Sequence, residues 1–194
     1  TGAGEGNILV SDKEPSPELT LALRSRNAWF EVNEDIGGGF ELDGKGGVVI
    51  SRSETGIAGL KKLARAQREN GIDAREVNAA ELRKLEPHIS PTIEYGVYYP
   101  QDAQCQPMLA AAQMIRAVKK RGGKFVQGEN VIAINSKNGQ VTGLTTNKNT
   151  YASPIVLNAT GTWAGDIAKL AGSYLPIAPR RGFILVTVPA PELI

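Results

Sequence analysis

Apolar and polar positions recur along this chain with a spacing that changes at its glycines and prolines. From Ser16 to Gly37 the spacing is helical, with Leu19, Ala22, Leu23, Trp29, Phe30 and Val32 on one stripe. Ser16 is placed to cap that helix, Pro17 to occupy its first turn and the glycines from Gly37 to stop it. The period then falls to two. "GFELD" and "GGVVISRS", separated by Gly44–Gly46, predict the two strands of a hairpin. Helical spacing returns in "TGIAGLKKLARAQRENG", where Ile57, Leu60, Leu63, Ala64 and Ala66 face a core and Gly71 follows the end. In "NAAELRKLEP", Asn78 stands three residues before Glu81, the capping-box spacing, and Pro87 stops the helix. "EYGVYYP" predicts a strand, and "QPMLAAAQMIRAVKKRGG" a helix with Met108, Ala111, Ala112, Ile115 and Val118 on one face.

Residues 124–161 change character again. They predict a short first strand, a second over Val131–Ser136, a tight turn at Asn138–Gly139, a third strand over Gln140–Thr146 and a fourth over Tyr151–Asn158. The last of these contains "PIVLNA", continuously apolar, the pattern of a buried parallel strand. It runs into "TGTWAGDIAKLAG", a glycine turn opening a helix, and "RRGFILVTVP" adds one more strand. There are no internal repeats.

Composition narrows the function. With 194 residues the chain can bury one large core or two small ones. Lys and Arg exceed Asp and Glu by only two, too little for a nucleic-acid binder. The basic run Lys119–Lys124 falls at the end of a helix, where cations complement the dipole. Cys105 is the single cysteine, which excludes an internal disulfide, and His88, between two prolines, leaves no histidine metal cluster. No metal site and no catalytic acid, base or nucleophile is assigned. Without a membrane-length apolar run or signal peptide, the expected location is cytoplasmic. A start without Met leads us to expect a piece of a longer protein.

The junction at Asn158–Gly165 is the best place for chemistry. A buried strand would deliver its backbone to the carboxyl end of a sheet, Gly161 would allow close approach, and the new helix would offer unpaired N–H groups. The competing reading is a plain turn with Thr162 as N-cap. The opening "TGAGEGN" has G-x-G-x-G spacing, without the G-x-G-x-x-G of a dinucleotide fingerprint, and by itself reads as a frayed end.

"ASPIVLNATGTWAGDIAKLAG" followed by "LPIAPRRGFILV" resembles the D-amino-acid oxidase superfamily of FAD-dependent oxidoreductases, which includes glycine and sarcosine oxidases and the opine, proline and hydrogen cyanide synthase subunits. "GNILVSDKEPSPELTLALRS" and "YGVYYPQDAQCQPMLAAAQMIRAVKKRGG" extend the resemblance along most of the chain, and "DKEPSPE" leans toward the opine, proline and cyanide-synthase branch. The resemblance implies a central fragment, without the N-terminal G-x-G-x-x-G unit and the C-terminal segment.

The implied fold class is α+β or α/β. A partial FAD-binding, glutathione-reductase-like layer with a β-meander, residues 1–37 and 123–177, would join a substrate domain with a mostly antiparallel sheet and flanking helices, residues 38–122 and 178–194. The cofactor is FAD in the intact protein, with this fragment expected to be apo and inactive by itself. Carried over residue by residue, cofactor contacts fall on Gly2, Ala3, Gly4, Asn7, Val131, Asn158, Ala159, Thr160, Gly161 and Trp163, so that the opening glycines become the tail of a flavin-lining loop. Arg180, Arg181 and Gly182 would meet substrate, with a solvated strand end as the competing reading. Tyr98 and Tyr99 would line the pocket or fill core.

The implied reaction is hydride transfer from the α-carbon of an amino or imino acid to flavin, then hydrolysis of the imine. The alternatives are a non-catalytic binding module on the same architecture and a flavin-dependent hydroxy-acid or glycerol-phosphate dehydrogenase. The expected partner is a small amino or imino acid; nucleic acid is not. The resemblance leaves room for homo- or hetero-oligomers and for peripheral membrane association with an electron-acceptor partner.

Overall fold

The computed structural model describes residues 4–180 together with Gly182 and Val188. The chain divides into two compact units, with the boundary between Gly123 and Lys124.

The first unit begins with β1 (Asn7–Ile8) and α1 (Pro17–Asp35), which starts as expected: the Ser16 side chain accepts from Leu19 N and Pro17 fills the first turn. Next come β2 (Gly47–Ile50), α2 (Glu54–Arg68), β3 (Arg75–Asn78), α3 (Ala79–Leu85), β4 (Tyr95–Tyr99), β5 (Ala103–Gln104) and α4 (Pro107–Lys120). The capping box forms at Asn78, whose Oδ1 accepts from Ala80 N and Glu81 N while Glu81 Oε2 accepts from Asn78 N.

β4 is the centre of an antiparallel three-stranded sheet, ordered β2-β4-β3, and β1 pairs with β5 in a second, two-stranded one. One core joins Val10 and Leu19 to Leu60, Ala64, Val97 and Tyr99 across α1, α2 and β4. A second gathers Ile8, Phe40, Ala103, Cys105 and Ala110, with the Trp29 and Phe40 rings edge-on at 5.7 Å. α3 closes a third through Leu82.

Two expectations fail in this unit. "GFELD" is not a strand. Gly37, Gly38, Gly39 and Glu41 all take positive φ, between 53° and 98°, which no strand tolerates. Asp43 makes only an isolated bridge to Gln104, and the partner of β2 is β4, some fifty residues on in sequence. The face assigned to α4 is also rotated. Ala110 is its fully buried residue, whereas Met108 is 62% exposed and Val118 also lies outside. The alanine-rich helix has apolar residues nearly all round, so periodicity did not single out the inward side.

The second unit is an antiparallel meander of β6 (Val131–Lys137), β7 (Gln140–Thr146) and β8 (Thr150–Ala152), followed by a 3-10 turn (Gly161–Trp163) and α5 (Ala164–Leu170), which packs on β6. The Asn138–Gly139 turn carries positive φ at both residues, 52° and 77°, as a two-residue hairpin requires. Glu129 ties the far end together: its carboxylate accepts from the Thr146 hydroxyl at 2.7 Å, Asn149 Nδ2 at 2.7 Å and the Tyr151 hydroxyl at 3.0 Å.

The short strand expected before Val131 is absent, and "PIVLNA" belongs to no sheet among the described residues. Every pairing in the three sheets is antiparallel. Residues 154–159 run extended without pairing to any described strand, and Ile155 is 78% and Leu157 87% exposed. The strand expected over Arg180–Pro189 lies almost wholly outside the described residues. The α+β class, with antiparallel sheets and flanking helices, stands.

Candidate functional site

The chain leaves β8 extended and bends back on itself between Asn158 and Ala164. Asn158 closes that bend. Its Nδ2 donates to Ala164 O at 2.9 Å and its Oδ1 accepts from the Thr160 hydroxyl at 2.8 Å. Trp163 N donates to Thr160 O at 3.2 Å, which sets the 3-10 turn. Gly161 has φ +58°, and a Cβ built there would meet no atom within 4 Å, so its backbone faces open space. Trp163 is 69% exposed, whereas Ala164, next to it, is buried and anchors the start of α5.

Beside this loop lies a cleft of about 550 Å³ whose walls include Thr162, Trp163, Asp166, Lys169, Tyr174 and Ile177. Gly165 is also on its wall, and a Cβ there would come within 3.2 Å of Leu175 O. Lys169 and Asp166, 3.2 Å apart, place one charge of each sign on the wall. Thr162 does not cap α5, because no side chain accepts from that helix's first turn.

The structure therefore brings Asn158, Ala159, Thr160, Gly161 and Trp163 together on one exposed loop. Val131 opens β6, opposite Thr146, in the same unit. Gly4 and Asn7 belong to the first unit: Gly4 is exposed, and Asn7 opens β1 opposite Gln104. Gly2, Ala3 and Arg181 lie outside the described residues. Arg180 and Gly182 are both exposed. Tyr98 is half-buried, its hydroxyl donating to Lys45 O at 3.3 Å. Of the two readings for Tyr99, core holds. It is fully buried, its phenol donates to Gln67 Oε1 at 2.9 Å, and burial pushes its pKa up to about 12.

What the sequence reading missed is a buried polar cluster in the first unit, built from Gln67, Tyr99 and Asp102 around the backbone of Val10–Lys13. Its one visible signal was Gln67 itself, seven residues after Leu60 and three after Ala64, a polar residue on the apolar stripe of α2. Among the described residues no group of three or more His, Cys, Asp or Glu side chains could hold a metal ion, and no helix is long and apolar enough to cross a membrane.

The chain is 27% identical over 186 residues to hydrogen cyanide synthase subunit HcnC of Pseudomonas aeruginosa, an alignment covering 93% of this chain and 45% of that protein. It is 27% identical over 156 residues to anaerobic glycerol-3-phosphate dehydrogenase subunit A1 of Haloferax volcanii, covering 73% of this chain and 26% of that one. It thus spans less than half the length of these curated relatives. In fold it is similar to glycine oxidase from Geobacillus kaustophilus, with a TM-score of 0.79 and 24% identity over 88% of this chain and 48% of that one. The family model described as FAD dependent oxidoreductase (DAO) matches residues 1–194, and the chain belongs to that FAD-dependent family.

Proposed function

We propose that this chain is part of an enzyme that oxidises the C–N bond of an amino or imino acid with FAD, and that the loop Asn158–Trp163 is its main cofactor contact here. What carries the reading is the pairing of a family match over residues 1–194 with that loop's geometry. Asn158 holds the bend from inside, engaging the Thr160 hydroxyl, and this leaves the open backbone at Gly161, an exposed Thr162 and an exposed indole. Neutral donors and a bare glycine backbone suit a phosphate or ribityl chain, and an exposed indole suits a flat ring. Val131 is a second candidate contact in the same unit, and Gly2, Ala3, Gly4 and Asn7 are candidates in the first unit. The resemblance alone supports assigning residues 1–37 and 123–177 to cofactor and 38–122 and 178–194 to substrate, because residues 1–37 share a core with 38–122 here.

FAD supplies the acceptor for the substrate's hydride. The residues of this chain bind and orient. Arg180 and Arg181, beside Gly182, hold the substrate carboxylate, for which a guanidinium offers two parallel donors. With the carboxylate fixed and the amine neutral, the α-carbon is presented without an enzymic base.

A second reading, oxidation of a phosphorylated hydroxy compound, is favoured by the likeness to the Haloferax volcanii dehydrogenase subunit, since the same arginines would grip a phosphate. Because two of the relatives are named as subunits, we also propose that this protein works within an oligomer, with a partner taking the electrons.

The test is to purify the natural protein that carries these residues and follow its visible spectrum without oxygen. Flavin bands that bleach with a secondary amino acid support the first reading, and bleaching by glycerol 3-phosphate alone replaces it with the second. A folded, colourless protein that takes up no added FAD sinks both.

A further inference from the structure

Beyond β1 the backbone turns at Val10–Lys13, where Lys13 N donates to Val10 O at 3.3 Å. The start of this turn is inside the protein, and its polar backbone atoms meet side chains from distant elements. Asp102 Oδ1 accepts from Val10 N at 2.8 Å and Ser11 N at 3.2 Å. Gln67 Nε2 points at the carbonyls of Val10, Ser11 and Lys13, at 3.4, 3.0 and 2.8 Å. Gln67 Oε1 faces the Tyr99 hydroxyl, so the amide has a single satisfied orientation; turned over, it would set acceptor against acceptor. Gln67, Tyr99 and Asp102 are all buried, with Asp102 only 2% exposed. In such a place an unpaired N–H or carbonyl is costly, and a fully paired network fixes one geometry.

On the other side of β1 the chain is held by backbone. Cys105 N donates to Gly6 O at 2.9 Å. Gly6 takes φ +86°, and a Cβ there would overlap the Cys105 carbonyl, so only glycine passes. Asp102 and Cys105 flank β5, the partner of β1. One short stretch, Tyr99–Cys105, thus grips the incoming chain at Gly6 and again at Val10–Ser11, with Gln67 locking the second grip.

We infer that Gln67, Tyr99 and Asp102 are positioning residues for the cofactor, because they set the path of Gly4–Asn7. This rests on the reading of Gly4 and Asn7 as flavin-lining residues. None of the three touches FAD. They act by fixing the register and direction in which the glycine-rich segment leaves the sheet.

The test uses the natural full-length flavoprotein and four variants: Gln67→Glu, Asp102→Ala, Asp102→Asn and Tyr99→Phe. FAD affinity, the shape of the visible flavin bands and denaturant unfolding of the apoprotein are measured for each. Gln67→Glu removes the donor to three carbonyls and Asp102→Ala the acceptor for two N–H groups. Each is expected to weaken FAD binding about tenfold and to broaden the flavin bands. Asp102→Asn keeps an acceptor oxygen and is expected to restore affinity to within about threefold, while Tyr99→Phe, losing one hydrogen bond, weakens it by about threefold or more. Loss of apoprotein stability with affinity and band shape unchanged overturns the inference. If the harsher variants fail to fold, an unchanged affinity in Tyr99→Phe overturns it instead. An unaltered protein that binds no FAD refutes the cofactor reading first, and the inference with it.

Discussion

Tyr99 buries a phenol that donates to one amide oxygen, 2.9 Å away, and that environment resists ionisation. Burial lifts its pKa from 10 to about 12, so the neutral phenol is favoured in the folded state. Its contribution to stability is complete below pH 10 and disappears as pH rises toward 12. Alkaline unfolding of Tyr99→Phe should therefore be less steep above pH 10 than that of the unaltered protein, as followed by circular dichroism. Glu129 shows the opposite sign. Hydrogen bonds, first from the Thr146 hydroxyl and then from Asn149 and Tyr151, hold its carboxyl below the ordinary 4.5. The stability it lends is present above pH 4.5 and is lost as pH falls through the lowered value. Melting of the meander against pH should flatten on the acid side in Glu129→Gln; an unchanged acid limb would refute this. At this scale the sequence was half legible. Ser16, Asn78, Pro17 and the Asn138–Gly139 pair announced their roles because caps and turns depend on neighbours within three residues. Gln67 and Asp102 did not, since their partners lie 32 to 92 residues away.

Elements followed the same division between local and distant causes. Helices α1, α2 and α3 stop just short of the glycines at 37 and 71 and the proline at 87 that were expected to end them, because hydrogen bonds in a helix span four residues. Replacing Asn78 by Ala should cost about 1 kcal/mol, read as a shift in denaturant midpoint, because α3 has only seven residues over which to spread the loss. Strands need partners, and partner choice is where periodicity fails. β2 looked ready to pair with residues 39–43 across a glycine turn, yet it pairs with β4, and Asp43 reaches Gln104 instead. Sheet and helix then meet at Gly96 in β4, where an added Cβ would stand 3.0 Å from both Leu82 Cδ2 and Val49 O. Gly96→Ala should destabilise the first unit by about 1–3 kcal/mol, since α3 must shift or the strand must bow. A midpoint unchanged from the parent would show that this contact yields freely.

At the scale of the whole molecule, the boundary between the two units falls where regular structure lapses, at Arg121–Asn130 between α4 and β6. Arg121 and Lys124 are exposed there, so brief trypsin treatment should cut first in this stretch and leave α4 and β6 on separate pieces; a first cut inside α2 would contradict the division. The candidate site was readable at this scale for a different reason. Asn158–Trp163 is a consecutive motif that needs no tertiary contact to be noticed, whereas the hold on Val10–Lys13 comes from side chains far along the chain. Cys105 adds a practical consequence. It is the only cysteine of the chain, 8% exposed, in the core that joins β1, β5 and α4, and burial raises its thiol pKa. A thiol so placed reacts slowly until the structure around it opens. The rate at which a thiol reagent labels this protein is thus a built-in clock for the opening of its first unit, readable without adding a probe. A ligand that tightens the Gly4–Asn7 segment should slow that clock.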